Sequence, residues 1–263
     1  MTVSQALLEA RRRLAGHSDA PDLDAERLLL HLLGKKDTSW LIQESKSHLK
    51  QETVTAFLGA VERRIAGEPL AYILGAQEFF GREFMVNSDV LIPRPETESL
   101  VNAVIGAVLD MYSKRGKPLK IADIGTGSGC VAVTLLLEVR KADKSAIDII
   151  IATDICEKAL RVARQNAARY GVLNDIEFRQ GDVLEPLRGE LVDLIVSNPP
   201  YVPSHEIIAA RTSPDITTKG LNYEPTVALD GGHDGQKFLD ELRSCGMLYF
   251  AEATGGVVET NYN

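Results

Sequence analysis

The spacing of apolar residues divides the chain into a helical first part and a longer part in which strands and helices alternate. From Val3 to about Gly67, apolar side chains recur every three to four residues, as they do on the buried face of an amphipathic helix. The positions with this spacing are Val3, Ala6, Leu7, Ala10, Leu14, Ala25, Leu28, Leu29, Leu32, Leu33, Val54, Phe57, Leu58, Val61 and Ile65. They predict a small helical bundle.

The pattern changes after residue 76. The stretch EFFGREFMV at 78–86 holds two short aromatic runs around Gly81 and predicts a β-hairpin. Pro95 suits the first position of a long helix that we expect to end near Tyr112. Beyond it, the strand-like runs KIADI, IDIIIATD, IEFRQGD and VDLIVSN alternate with helical segments, which is typical of parallel βαβ units covered on both faces. The predicted domains are a helical domain at 1–76, a hairpin linker at 77–92 and an α/β domain at 93–263.

Composition places the chain among soluble globular proteins. It has 263 residues, of which 44% are hydrophobic. No run approaches the roughly 18 apolar residues of a membrane-spanning helix, and the N-terminus lacks the apolar core of a secretory signal. We therefore expect a cytoplasmic protein, or one of a mitochondrial or plastid matrix, with no membrane partner. Its cysteines, Cys130, Cys156 and Cys245, have neither metal-site nor disulfide spacing, so no metal is expected.

The charge balance argues against nucleic acid as a direct partner. The net charge is −8, which repels a phosphate backbone at long range. Two small basic clusters, at 11–13 and at Arg63 and Arg64, lie among apolar residues at helical spacing. We interpret both clusters as solvated helix faces.

A glycine-rich stretch predicts a cofactor site where the first strand of the α/β domain gives way to a helix. Glycines at such a turn let a ligand approach the backbone, and the helix start offers free N–H groups. Similar loops bind nicotinamide, flavin and S-adenosylmethionine cofactors, so the loop alone is a weak signal. A dinucleotide fingerprint starting at Gly125 would need glycine at position 130, which is Cys130. The candidate residues are Asp123, Gly125, Thr126, Gly127, Ser128 and Gly129.

Acidic residues end the next two strands. Asp154 is placed to accept hydrogen bonds from two ribose hydroxyls, a feature that NAD enzymes share. Asp182 is placed for an adenine amino group, and Val183 beside it for the face of the ring. Either aspartate has a structural alternative, since aspartate commonly caps turns and helices at strand ends.

The stretch SNPPYVPS at 197–204 follows the fourth strand and carries the candidate chemistry. A Pro-Pro pair can simply terminate a strand, but it also donates no hydrogen bonds and leaves its carbonyls free to accept. The carboxamide oxygen of Asn198 accepts beside Pro199 and Pro200, so the segment predicts a cradle for a planar NH2 group, with Tyr201 lying over that group. Holding both hydrogens directs the nitrogen lone pair at a sulfonium methyl, so orientation supplies most of the rate and no strong base is needed.

Together these motifs resemble one family. DIGTGSG, Asp154, the GD at 181–182 and NPPY at 198–201 are similar to amino-methyltransferases that use S-adenosylmethionine. The segments GEPLAYILGAQEFFGREFMV, VLIPRPETE, IADIGTGSG, IVSNPPY and EPTVALDGGHDG, in that order behind a helical domain, resemble the PrmC/HemK release factor glutamine methyltransferases. The resemblance covers roughly residues 3 to 250.

The resemblance implies a fold and an activity. The fold is an α/β Rossmann-like methyltransferase domain of the seven-strand type, with a small helical domain before it. The activity is methyl transfer from S-adenosylmethionine to the amide nitrogen of the glutamine in the Gly-Gly-Gln (GGQ) loop of peptide chain release factors. Residues 125–129, Asp123, Asp154, Asp182, Val183 and Asn198 would bind the cofactor; residues 198–201 would bind the glutamine and be catalytic. The helical domain would hold the release factor, and we expect a monomer.

The end of the chain departs from that pattern. Family members continue beyond a fifth strand through a helix and a strand pair, whereas this sequence stops at GGVVETNYN. We expect GGVVET to begin the fifth strand, with the later strands missing and an apolar sheet edge exposed. Two alternatives stay open. The first is a DNA adenine or cytosine amino-methyltransferase, because the target amine of such an enzyme is equally planar. The second, which follows from the short C-terminus, is an inactive, shortened binding form.

Overall fold

The computed structural model describes residues 1–213, 215, 218–243, 248–251 and 257–260. Internal contacts divide the chain into two units. The first unit comprises Met1–Gly75 and Ala209–Tyr223, and the second comprises Ala76–Ile208 and Glu224–Asn263. This division differs from the predicted domains in two respects. The predicted linker at 77–92 is part of the second unit, and the segment Ala209–Tyr223 belongs with the helices of the first unit although four strands of the main sheet precede it in sequence.

The first unit is helical. A capping box starts its first helix: Gln5 N–H donates to Thr2 Oγ1 at 3.2 Å, and Thr2 N–H donates to Gln5 Oε1 at 2.8 Å. Pro21 starts the second helix, whose N-cap residue Ala20 makes no side-chain hydrogen bond. The helices are α1 (Val3–Leu14), α2 (Pro21–Leu32), α3 (Ser39–Gln43), α4 (Gln51–Ile65) and α5 (Leu70–Leu74).

The predicted helix faces form the core of this unit, with two corrections. Leu32 is 39% exposed and faces solvent. Arg64 is not a solvated residue, because its Nε lies 2.7 Å from the buried Asp24 carboxylate. The neighbouring cations are also paired, Arg13 with Glu9 at 2.7 Å and Arg63 with Glu68. The two basic clusters are therefore largely neutralised by adjacent carboxylates.

The second unit starts with the predicted hairpin and continues as alternating helices and strands. Its hairpin strands pair antiparallel on either side of Gly81. The helix predicted from Pro95 begins two residues later, at Thr97, and runs three residues past Tyr112. The elements are β1 (Ala76–Phe79), β2 (Arg82–Met85), α6 (Thr97–Arg115), β3 (Leu119–Ile124), α7 (Cys130–Ala142), β4 (Ile147–Asp154), α8 (Glu157–Arg169), β5 (Ile176–Gln180), β6 (Leu194–Ser197), α9 (Ser204–Thr212, which runs on into the first unit), α10 (Lys237–Arg243), β7 (Leu248–Ala251) and β8 (Val257–Thr260).

The main sheet has the order β5-β4-β3-β6-β7-β8, and all neighbours are parallel except β7 and β8. Both faces of the central strands are covered, since Ile121 packs in one apolar cluster and Ala122 in the other. This buried parallel sheet confirms the Rossmann-like α/β prediction. The next strand in the chain, β4, lies on one side of β3, and the later strand β6 lies on its other side. The carboxyl ends of β3 and β6 therefore flank a topological switch point.

The fifth parallel strand lies elsewhere than predicted. Leu248–Ala251 forms it, pairing with β6, whereas Val257–Thr260 from the stretch GGVVET pairs antiparallel with β7. The run LYFA is only four residues long, and so short an apolar run does not distinguish a strand from the end of a helix. The described residues thus contribute six strands to the sheet.

Candidate active site

The glycine-rich loop joins β3 to α7 in the conformation that its sequence requires. Gly129 precedes the helix with φ of +78°, and a Cβ there would lie 3.0 Å from the Cβ of Ala163 in α8. Thr126 N–H donates to the carbonyl of Thr153 at 2.8 Å, which ties the loop to the end of β4. The loop can therefore bring its backbone close to a ligand at the switch point.

Asp123 supports this loop from beneath. Its side chain is almost fully buried, and Oδ2 accepts a hydrogen bond from Thr126 Oγ1 at 2.7 Å. Burial raises the pKa of Asp123 to about 7, because a charged carboxylate is poorly solvated there. Although Asp123 borders the cavity as predicted, its observed contact orders the loop.

The raised pKa of Asp123 predicts a pH-dependent stability. The folded protein holds this proton up to a higher pH than the unfolded chain does, because the pKa is about 7 in the folded state and 3.8 in the unfolded state. The stabilisation that the proton provides is therefore complete below pH 3.8 and is lost as the pH rises through about 7. Asp123→Asn has no such proton to lose. Relative to wild type, its free energy of unfolding should rise on the order of 2 kcal/mol between about pH 5 and pH 8 in urea titrations. Parallel pH profiles for the two proteins would contradict this assignment.

Asp154 joins the loop to the end of β4. Its Oδ2 accepts from Gly127 N–H and its Oδ1 from Cys156 N–H, each at 2.9 Å. Burial raises the pKa of this carboxyl, although both hydrogen bonds favour the charged form. Each carboxylate oxygen keeps capacity for another hydrogen bond, so Asp154 can still accept from ligand hydroxyls in the cavity.

Asp182 and Val183 follow β5 and border the same cavity. The Asp182 side chain is exposed, and Gly181 N–H donates to the carbonyl of Asp154 at 3.1 Å. Val183 has φ of +38°, a conformation that β-branched residues rarely adopt. Such strain is typical of ligand-binding turns, since the surrounding structure must hold the residue there.

At the end of β6, Asn198 presents an unpaired acceptor. Its Nδ2 donates to Thr97 Oγ1 at 3.0 Å, whereas its buried Oδ1 has no partner among the described residues. The strand before it is anchored by Ser197 Oγ, which donates to the carbonyl of Ile124 at 2.8 Å. An unsatisfied buried carbonyl oxygen is costly, and a ligand donor would relieve that cost.

Tyr201 lies outside the cavity lining, which includes Asn198, Pro199 and Pro200. Its backbone instead packs against a glycine-rich loop at 229–235, part of the EPTVALDGGHDG motif. Val202 N–H donates to the carbonyl of Leu229 at 3.0 Å, and the carbonyl of Val202 accepts from Gly231 N–H at 2.9 Å. This loop therefore fixes the backbone that follows the two prolines.

Gly235 offers a test of that packing. A Cβ at Gly235 would lie 2.4 Å from the carbonyl oxygen of Tyr201, and the residue has φ of +77°. Gly189 has nearly the same φ, +79°, but a Cβ there would meet nothing within 4 Å. Gly235→Ala should therefore lower the free energy of unfolding by about 1–3 kcal/mol more than Gly189→Ala, measured by urea denaturation. If the two variants lose the same free energy of unfolding, the close approach of Gly235 to Tyr201 does not contribute to stability.

These elements enclose one cavity of about 220 Å³. It brings together the predicted residues Asp123, 125–128, Asp154, Asp182, Val183 and 198–200, while Gly129 and Tyr201 do not line it. Sequence reasoning missed further lining residues from distant segments: Asp89, Val90, Leu91, Pro93, Thr97, Pro225, Val227, Ala228, Lys237 and Phe238. Among them, Thr97 had a weak signal, because it is a polar residue at the start of a predicted helix.

The charges around the cavity are mostly negative. Asp89, Asp154 and Asp182 border it together with Asp123, which is only partly ionised near neutral pH because its pKa is about 7. Lys237 is the one cationic side chain among the described lining residues. Such a lining favours a cationic ligand over one that carries phosphates.

Other chemistry is not supported by the described residues. Burial raises the pKa of the Cys130 thiol to about 12, so this cysteine has no reactive thiolate near neutral pH. In the described ranges no group of three His, Cys, Asp or Glu side chains is arranged to hold a metal, and no helix there is long and apolar enough to cross a membrane. Cys245 lies outside the described residues.

Comparison with known proteins gives two domain matches and several relatives. Residues 5–75 match the family described as PrmC N-terminal domain, and residues 107–216 match Methyltransferase small domain. A release factor glutamine methyltransferase of Bacillus subtilis is 41% identical over 81% of this chain and 69% of its own length. One of Xylella fastidiosa is 42% identical over 84% and 72%. A bifunctional methyltransferase of Rickettsia prowazekii is 39% identical over 82% of this chain, which spans only 42% of that longer protein.

Proposed function

Since this chain belongs to the release factor glutamine methyltransferase family, as its motifs predicted, we propose that it methylates the glutamine of the GGQ loop in peptide chain release factors. The methyl group goes from S-adenosylmethionine to the side-chain amide nitrogen. The observation that carries this proposal is the buried Oδ1 of Asn198, which has no partner among the described residues and borders the cavity.

The chemistry of Asn198 suits a primary amide. Its free Oδ1 accepts one amide hydrogen, and the adjoining Pro199 and Pro200 supply carbonyls without any competing N–H donor. An amide held in this way turns its nitrogen lone pair out of the plane of its hydrogen bonds and toward the methyl donor. Orientation and proximity then lower the barrier.

The reaction needs no strong base. S-adenosylmethionine supplies an electrophilic methyl group on a positively charged sulfur. In such a transfer the glutamine nitrogen would gain the methyl group, the sulfur would leave as an uncharged thioether, and the displaced amide proton would pass to solvent. The role of the site is to hold the amide in line with the methyl group.

The cofactor residues fit this donor better than a dinucleotide. Four aspartate side chains, of which Asp123 is only partly ionised near neutral pH, and one ammonium border the cavity. This lining favours a sulfonium and disfavours the pyrophosphate of NAD or a flavin. We propose that Asp154 accepts from the ribose hydroxyls, that Asp182 accepts from the adenine amino group and that Val183 packs on the ring. Asp123 contributes by ordering the loop at 125–129.

The roles of Tyr201 and of the helical unit stay predictions. We propose that the Tyr201 ring covers the plane of the amide once the substrate is bound, supported by its position directly after Pro200. We also propose that the unit built on α1 to α5 holds the release factor and that the enzyme is a monomer.

Two rival functions give different results in one experiment. Purified protein is incubated with S-adenosylmethionine labelled on the methyl group and, in separate reactions, with a release factor or a DNA duplex. The proposal predicts label in the release factor alone. Label in DNA alone would establish the nucleobase alternative, and failure to bind the cofactor by calorimetry would establish a non-catalytic binding form.

A further inference from the structure

We propose that Thr97 is a positioning residue that orients the Asn198 carboxamide so that its oxygen, not its NH2 group, faces the substrate. The inference rests on the proposed function and deepens it, because it names what makes the site select an amide donor. It is carried by the hydrogen bond from Asn198 Nδ2 to Thr97 Oγ1 together with the unpaired Oδ1 on the other side of the same side chain.

Orientation matters because a carboxamide has two unlike ends. One carries two hydrogen-bond donors and the other carries only an acceptor, so a half-turn of the side chain exchanges them. In the observed orientation the acceptor is free for an N–H of the substrate. The reversed orientation would set the Asn198 NH2 group against the NH2 group of glutamine, with two donors facing each other and no hydrogen bond between them.

Thr97 is itself held rigidly. It is 3% exposed, lies at the first position of α6, and its N–H donates to the carbonyl of Arg94 at 3.1 Å. The segment before it is anchored by the buried Glu224, whose Oε1 lies 2.6 Å from Arg94 Nη2 and whose Oε2 accepts from Ile92 N–H at 3.3 Å. The Thr97 oxygen is therefore held in one place, where it accepts the hydrogen bond from Asn198 Nδ2 at 3.0 Å.

The test compares Thr97→Val, which keeps the shape and removes the hydroxyl, with Thr97→Ser, which keeps the hydroxyl. Turnover of a release factor should fall about tenfold in Thr97→Val, the upper range for one hydrogen bond. KM for the release factor and Kd for S-adenosylmethionine should stay within about twofold, because the orientation of Asn198 acts on the reacting amide. Thr97→Ser should retain turnover within about threefold of wild type.

The outcomes separate this inference from the proposed function. Wild type that transfers no methyl group to a release factor would refute the proposed function itself. If wild type is active and Thr97→Val has the same kcat, the inference is wrong. It is also wrong if kcat falls as much in Thr97→Ser as in Thr97→Val, because the loss would then come from packing and not from the hydroxyl. If Thr97→Val does not fold, Thr97→Ala takes its place with the same expected loss of kcat and the same contradicting result.

Discussion

Replacing Asn198 by alanine should reduce methyl transfer to a release factor about a thousandfold, to near background, while the affinity for S-adenosylmethionine changes by no more than a few-fold. The size follows from losing a preorganised hydrogen-bonding group aimed at the reacting atoms, which costs about 100- to 1000-fold in comparable sites. Asn198 makes its observed hydrogen bond to Thr97, outside the glycine-rich loop, so the loop should keep its shape. Single-turnover rates and calorimetry measure the two quantities separately.

Asn102 provides the matched control for that variant. It lies on the exposed side of α6, and Asn102→Ala removes the same side chain away from the cavity. We expect wild-type turnover from it. If Asn198→Ala turned over as fast as Asn102→Ala, the proposed role of the Asn198 oxygen would be wrong.

Asp154→Ala should weaken S-adenosylmethionine binding about a hundredfold. The substitution removes the acceptor proposed for the ribose hydroxyls and also leaves Gly127 N–H and Cys156 N–H without their partner. Charge-assisted hydrogen bonds contribute about 1.5–3 kcal/mol each, so losing two to the ligand accounts for at least this effect. Calorimetric titration of the purified variant measures it.

Asp148 supplies the control on the same strand. It is exposed at the other end of β4, and Asp148→Ala should bind the cofactor as wild type does. Burial raises the pKa of Asp154, so this carboxylate takes up its proton earlier as the pH is lowered. The cofactor affinity of wild type should therefore begin to fall, on acidification, at a higher pH than it would with an unshifted aspartate. Cofactor affinity in Asp154→Ala equal to that in Asp148→Ala would contradict the assignment of Asp154.

Sequence reasoning could locate those parts of the site whose position follows from one local sequence pattern. The glycine-rich loop that ends at Gly129 joins an apolar strand to a helix, and Asp154 and Asn198 each come at a strand end. Parallel strands bring their carboxyl ends to one edge, so these residues had to be close once the βαβ pattern was recognised. The backbone pattern was enough to place them.

What sequence reasoning missed depends on contacts between distant segments. Thr97 and Asn198 are 101 residues apart, and nothing in either local stretch indicates the pairing. The same is true of Arg64, whose partner Asp24 is 40 residues away, and whose neighbours suggested an exposed helix face. Tertiary packing determines these pairs, and the spacing of hydrophobic residues along the chain does not predict them.

The sheet edge shows a second cause of error. The four-residue strand β7 is too short to have a distinctive period, and β8 was assigned its place from the order of motifs alone. Pairing across a short connection favours an antiparallel strand at that edge, whereas a parallel partner would need a longer crossover.

The position of the transferred methyl group tests the central claim most directly. A release factor incubated with the enzyme and S-adenosylmethionine is digested, and its peptides are sequenced by fragmentation mass spectrometry. We predict one methyl group on the side-chain amide nitrogen of the glutamine in the GGQ peptide, absent when Asn198→Ala replaces wild type. A methyl group on any other residue of the release factor, or an unmodified GGQ peptide after complete incubation, would contradict the account.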